Sequence, residues 1–218
     1  MSTGQARAEP SAPIPAGGLA AGTRPWRRLF TAAGRRLGAA DQALYVTVAA
    51  SASPWLDEPA RRLSQAANFS RIWLAIAAGL AVFGGPDGRR AALRGVVAVG
   101  VTSATVNLGA KSLRPRPRPD RAGAHVPASR QVAMPTSASF PSGHSASAFA
   151  FACCVGHVLP RTAAPLRALA AAVAYSRVHT GVHFPGDVII GSLIGAVIGR
   201  AVASWPRLVR RPCRTNML

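Results

Sequence analysis

The chain has 218 residues and a net charge of +19, from 26 Lys+Arg against 7 Asp+Glu; 49% of it is hydrophobic and 15% charged. That length suits one domain, and its three cysteines (153, 154 and 213) fit neither a disulfide framework nor a metal-ligand spacing. Aromatics are only 6% and the arginines fall at segment ends rather than on one helix face, which argues against a nucleic-acid binder. The basic excess reads instead as a membrane-edge rim that attracts anionic headgroups.

Residues 1–25 are rich in Ala, Gly, Pro and Ser and read as disordered, without the apolar core of a signal peptide. Residues 26–40 place Arg27, Arg28, Arg35 and Arg36 around Trp26, Leu29, Phe30 and Leu37, as in a short amphipathic helix on a membrane surface. Residues 1–40 are thus expected to be a disordered or interfacial basic segment. Residues 41–69 mix apolar and charged positions and predict interfacial helices, broken near Ser53-Pro54.

Five apolar blocks follow: 72–84 (extendable back through Phe69), 91–110, 145–159, 164–175 and 188–205. A span needs roughly 20 residues, fewer with snorkelling ends. The blocks are Ala- and Gly-rich, which suits close helix packing in a bilayer, and no amphipathic stripe recurs. The expectation for residues 41–206 is an all-α integral membrane bundle of about five to six transmembrane helices. Residues 207–218 read as a basic tail.

Three polar clusters interrupt the apolar blocks. The first runs from Lys111, the chain's sole lysine, to Arg118-Pro119. The second is Pro141-Ser142-Gly143-His144. The third runs from Ser176-Arg177 through His183 to Asp187, the sole acidic residue after Asp120. Lys111, Arg118 and Arg177 are three cations suited to a tetrahedral dianion. Ser142 is a favoured helix N-cap, Gly143 permits close backbone approach, and a helix N-terminus attracts anions. His144 falls in that first turn, where it can protonate a leaving oxygen. Asp187 can accept a hydrogen bond from one ring nitrogen of His183, which frees the other to attack. With alternating spans all three clusters lie on one side of the membrane. Arg89, Arg90, Arg161 and Arg167 fall on the other, which the positive-inside tendency makes cytoplasmic. The site is then extracytoplasmic in a multi-pass cell-membrane protein. Five spans alone would also put the basic N-terminus outside, unless residues 26–53 hold a sixth.

The clusters resemble the signature of the type 2 phosphatidic acid phosphatase (PAP2) superfamily, which also contains vanadium haloperoxidases: K-x6-R-P, then P-S-G-H, then S-R-x5-H-x3-D. Every fixed position is present, and His125, His157 and His179 lie outside it. The resemblance implies His183 as a nucleophile that forms a phosphohistidine, Asp187 as its orienting partner and His144 as the acid. It also implies that Lys111, Arg118, Ser142, Gly143 and Arg177 hold the phosphate, with no metal and no cofactor. The implied activity is hydrolysis of a membrane lipid phosphate or diphosphate: phosphatidic acid, phosphatidylglycerophosphate or a polyprenyl diphosphate. The implied partners are that substrate and membrane lipids, not nucleic acid, and no sequence feature sets an oligomeric state. One alternative is a vanadate-dependent haloperoxidase, disfavoured by the membrane blocks. Another is a non-catalytic lipid-phosphate binding or transport protein, which would need only the cations.

Overall fold

A computed structural model describes residues 25–51, 53–111 and 116–205, with backbone alone over 25–33 and at 110. The expected disordered start (1–24) and basic tail (207–218) lie outside the described residues. The chain divides into two compact units, Met1–Leu37 and Gly38–Leu218. Everything below concerns the second.

Seven α-helices are described. Helix α1 spans Pro25–Ala50, α2 Pro54–Ala66, α3 Arg71–Phe83, α4 Gly85–Ala104, α5 Gly143–Val158, α6 Ala163–His179 and α7 Pro185–Ser204. The break between α1 and α2 falls at Ser53-Pro54 as expected, because Pro54 can open a helix but not continue one. The surface helix expected over 26–40 is longer, running on to Ala50. Helix α3 does not extend back through Phe69. Phe69 and Ser70 both have left-handed backbone (φ 54° and 58°), and this elbow turns α2 against α3 by 65°.

Among the described residues, two stretches are long and apolar enough to cross a membrane: Gly85–Gly109, with mean hydropathy 1.4, and Pro185–Ser204, with mean hydropathy 1.6. The bent pair α2–α3 makes a third if taken together. Helices α3, α5 and α6 have 13, 16 and 17 residues, short of a roughly 20-residue span, so length alone marks fewer spans than the five to six expected.

Helix α5 is the axis of the unit. It packs against α7, α4 and α6 and is buried on almost every face. An apolar helix without a polar face belongs inside a bundle. Its small side chains let neighbours approach closely. Gly191, Gly195 and Gly199 form a stripe on α7 against the α5 backbone. A Cβ at these three positions would stand 2.5, 2.0 and 2.3 Å from the carbonyl oxygens of Ser142, Ala146 and Ala150. The main core joins Trp73, Ala91, Val99, Phe151 and Val173, with the Trp73 and Phe151 rings 5.5 Å apart. A second core joins Tyr45, Val126, Val178, Phe184 and Val188.

A buried ionic knot ties down the long segment between α4 and α5. Arg130 Nε donates to Asp57 Oδ1 at 2.7 Å, and its terminal nitrogens donate to the carbonyls of Val48, Ala49 and Ser51 at the end of α1. Asp57 also meets His179 Nε2 at 3.0 Å and Ser129 Oγ at 3.1 Å. Removing one partner strands a buried charge. Arg130→Met is therefore expected to cost about 3 kcal/mol. Thermal unfolding of the detergent-purified protein checks this, and an unchanged midpoint would show that the knot contributes nothing.

Candidate active site

The site forms where helix ends meet. Helix α4 ends in a π-helical turn, Thr105–Ala110, which delivers Lys111. Such turns are frequent at functional sites. Helix α5 starts at Gly143, capped by Ser142 as expected: the Ser142 oxygen accepts from Ser145 N and from Ser145 Oγ. His144 follows in the first turn. Between α6 and α7 the chain turns at Gly181, whose φ of 70° suits glycine, and Pro185 opens α7. His183 lies in that turn and Asp187 in the first turn of α7. Ser142 N donates to the Asp187 carbonyl oxygen at 2.9 Å, which joins the second cluster to the third.

A cavity of about 210 Å³ opens here. Lys111, Arg118, Gly143, His144 and His183 line it, together with Ser137 and the polar residues Ser70, Ser103, Asn107 and Ser147. A Cβ at Gly143 would meet only Val106 and Asn107, at 3.8 and 4.0 Å. Packing does not demand glycine there; its absent side chain leaves the cavity wall open.

His183 is 2% exposed and Asp187 is fully buried. His183 Nδ1 lies 3.5 Å from Asp187 Oδ2 and 3.4 Å from Ser139 Oγ. The Ser139 hydroxyl donates to Asp187 Oδ2, as does Phe184 N at 3.0 Å. Ser139 therefore sits between the imidazole and the carboxylate. Arg118 Nη1 approaches His183 Nε2 at 3.4 Å. A guanidinium only donates, so Nε2 is the acceptor and the ring proton sits on Nδ1. The Nε2 lone pair therefore points towards Arg118 at the cavity edge. Burial, with Arg177 and Arg118 nearby, lowers the His183 pKa to about 4 against the pull of Asp187. His183 is neutral at pH 7, the state a nucleophile requires.

The cations divide. Lys111 Nζ donates to Ser137 Oγ at 3.1 Å, and Arg118 Nη2 reaches the same oxygen at 3.3 Å. One oxygen is thus already shared by two cations at the cavity edge. Burial and the neighbouring Arg118 lower the Lys111 pKa. Arg177 is not on the cavity wall. It is 1% exposed, with Nη1 donating to the carbonyl and hydroxyl oxygens of Ser64, while its Nε has no partner. His144 lines the cavity, with Nε2 2.9 Å from Asn68 Oδ1. An amide oxygen only accepts, so Nε2 carries a proton.

Reasoning from the sequence missed Ser137, Ser139, Asn68, Asp41 and Arg116. Arg116 Nη1 pairs with Asp187 Oδ1 and Nη2 with Asp41 Oδ2, both at 2.8 Å. The sole signals for these residues were their places: Arg116 inside the Arg-Pro run, Ser139 just before Pro141. Among the described residues, no group of three His, Cys, Asp or Glu is placed to hold a metal ion.

This is an all-helical bundle whose polar site gathers at converging helix ends. Its architecture matches two solved structures. One is the transmembrane PAP2 type phosphatidylglycerolphosphate phosphatase from Bacillus subtilis, at TM-score 0.61 and 26% identity over 77% of this chain and 84% of that one. The other is LpxE from Aquifex aeolicus, at TM-score 0.57 and 25% identity over 73% and 92%. The sequence model of the PAP2 superfamily matches residues 91–211, and the chain belongs to that superfamily. It is also 39% identical over 95 residues to decaprenylphosphoryl-5-phosphoribose phosphatase from two strains of Mycobacterium tuberculosis. That match covers 43% of this chain; the chain spans about half the length of those curated relatives.

Proposed function

We propose that this protein is a membrane lipid phosphatase that works through a phosphohistidine at His183, without a metal. The observation that carries the reading is His183 on the cavity wall, its Nδ1 against Asp187 and its unprotonated Nε2 beside Arg118, which a bound phosphate would draw away. Nε2 attacks phosphorus while the bond from phosphorus to the lipid oxygen breaks, and His144, protonated once the phosphate dianion offsets the surrounding cations, supplies the proton to that oxygen. Water then attacks phosphorus, the P–N bond breaks, and inorganic phosphate leaves as His144 takes up the proton. Lys111, Arg118, Gly143 and the α5 N-terminus stabilise the equatorial oxygens. Arg177 joins them when its free Nε turns to the phosphate. A protein that only bound or carried lipid phosphates would need the cations but not a histidine held in one tautomer by a buried carboxylate.

Ser70, Ser103, Asn107 and Ser147 put hydroxyl and amide groups on the wall beside the cations. That wall suits a substrate whose phosphorylated oxygen belongs to a hydroxylated group, such as a polyprenyl-phosphosugar phosphate, more than a bare polyprenyl diphosphate. The name of the Mycobacterium tuberculosis relatives agrees. The site lies at the end of the bundle opposite Arg89, Arg90, Arg161 and Arg167, which supports an extracytoplasmic face on the cell membrane.

The test is phosphate release by detergent-purified protein in EDTA. The panel is phosphatidic acid, phosphatidylglycerophosphate, a polyprenyl diphosphate and a polyprenyl-phosphosugar phosphate. Release undiminished by EDTA, and fastest with the phosphosugar lipid, is expected. Release that needs added divalent metal would overturn the metal-free mechanism, and preference for the diphosphate would overturn the substrate assignment.

A further inference from the structure

Asp187 is a fully buried carboxylate at the back of His183. Left alone, its charge would favour the imidazolium and take away the free lone pair. The structure answers it with Arg116, a residue outside the three-part signature. Arg116 Nη1 lies 2.8 Å from Asp187 Oδ1, and its guanidinium carbon stands 3.9 Å over the centre of the Phe184 ring. Its other arm, Nη2, reaches Asp41 Oδ2 at 2.8 Å. Asp41 comes from α1, and its Oδ1 accepts from Gly186 N at 2.7 Å in the first turn of α7. A Cβ at Gly186 would stand 3.0 Å from that carboxylate, so glycine admits the contact. Arg116 is thus clamped between two carboxylates and a ring face, about a quarter exposed (28%).

We propose that Arg116 is a positioning residue that offsets the Asp187 charge, that Asp41 on α1 holds it there, and that the pair extends into acid the range over which His183 stays unprotonated at Nε2. This deepens the phosphohistidine reading and rests on it. The geometry explains why arginine is required. One planar fork serves two carboxylates at once, which a lysine ammonium on a single stem does not do in the same pose. The other groups facing His183 are Asp187 and Ser139 on Nδ1, Arg118 on Nε2, Arg177 from α6 and His144 from α5. Of the cations, Arg116 is the one paired with Asp187 in an ion pair.

Removing Arg116 takes away a positive charge and unmasks a negative one, and both changes favour protonated His183. In Arg116→Met the His183 pKa is expected to rise by about one unit. Arg116→Lys keeps the charge and should hold the rise to less than half of that. Asp41→Asn frees one arm of Arg116 and loosens its hold on Asp187, so its shift should be upward and smaller than in Arg116→Met.

The experiment is a pH titration of the full-length, 15N-histidine-labelled protein in detergent, with the His183 signal assigned by its loss in His183→Gln. The acid limb of kcat/KM for phosphate release is read on the same variants. An upward shift in Arg116→Met, little shift in Arg116→Lys and a smaller upward shift in Asp41→Asn are expected. An unshifted His183 in Arg116→Met, or equal shifts in the Met and Lys variants, would overturn the proposal. Should Arg116→Met not fold, an unshifted or downward-shifted His183 in Asp41→Asn would overturn it alone. The titration does not depend on turnover. A wild type that titrates as described but releases no phosphate would refute the phosphatase reading and leave the role of Arg116 standing.

Discussion

Replacing His183 with alanine is expected to remove nearly all turnover while leaving phosphate binding nearly intact. The expected loss in kcat is on the order of 10³-fold or more, because no other described side chain presents an unprotonated nitrogen to the cavity between Lys111 and Arg118. The cations stay in place: Lys111 and Arg118 are held by Ser137 and by the Val182 and Ala138 carbonyls, none of which His183 supplies. Competition by inorganic phosphate should therefore change by less than a few-fold. Arg118→Ala should do the reverse in part, weakening phosphate affinity as well as kcat, because it removes a cation at Nε2. Steady-state kinetics with a phosphate inhibition series separates the two patterns. Equal turnover by His183→Ala would show that the nucleophile is another group.

The second large effect comes from packing far from the chemistry. Gly195→Leu is expected to lower stability by about 3 kcal/mol and activity on the order of 10²-fold. The added Cβ would stand 2.0 Å from the Ala146 carbonyl oxygen, a backbone atom that has nowhere to go. Helices α5 and α7 must part. The first carries Ser142, Gly143 and His144, the second carries Asp187, and the bond from Ser142 N to the Asp187 carbonyl spans the gap. Close approach of small residues is what holds apolar helices together where lipid offers no hydrophobic contrast. Gly79→Ala on α3 is the control: nothing lies within 4 Å of a Cβ there, so stability should stay within about 0.5 kcal/mol of wild type. Unfolding midpoints of the two variants decide it. A Gly195→Leu protein as stable and active as wild type would mean that the two helices do not rely on this contact.

The sequence carried much of this in its order and spacing. Ser142 before Gly143-His144 announced a capped helix start, and the apolar blocks announced the helices on either side of each cluster. The alternation of blocks put Lys111, His144, His183 and Asp187 at one end, which is where they meet. What was not legible is contact between distant positions. Nothing in the sequence singles out Arg116, because its two carboxylates lie 75 and 71 residues away in opposite directions along the chain (116 − 41 and 187 − 116). Arg177, expected among the phosphate ligands, donates its Nη1 to Ser64 on α2, a contact no spacing announces, and the elbow that follows α2 was equally hidden. That elbow depends on two successive left-handed residues, Phe69 and Ser70, neither a type that favours the conformation. His179, outside the signature, proved to be part of the Asp57–Arg130 knot that ties down the loop bearing Ser137 and Ser139. Span count was the least legible feature, because α5 and α6 are too short for the length rule.

The central claim, attack by His183, is tested most directly by trapping the intermediate. Wild-type protein would be mixed with a lipid phosphate for a fraction of a turnover, quenched in base to preserve a phosphoramidate, digested and analysed by mass spectrometry. The account predicts a phosphoryl group on the peptide containing His183, absent in His183→Ala and formed in EDTA as fast as without it. A protein that turns over lipid phosphate while this peptide stays unmodified, or with the phosphoryl group on another residue, would contradict it.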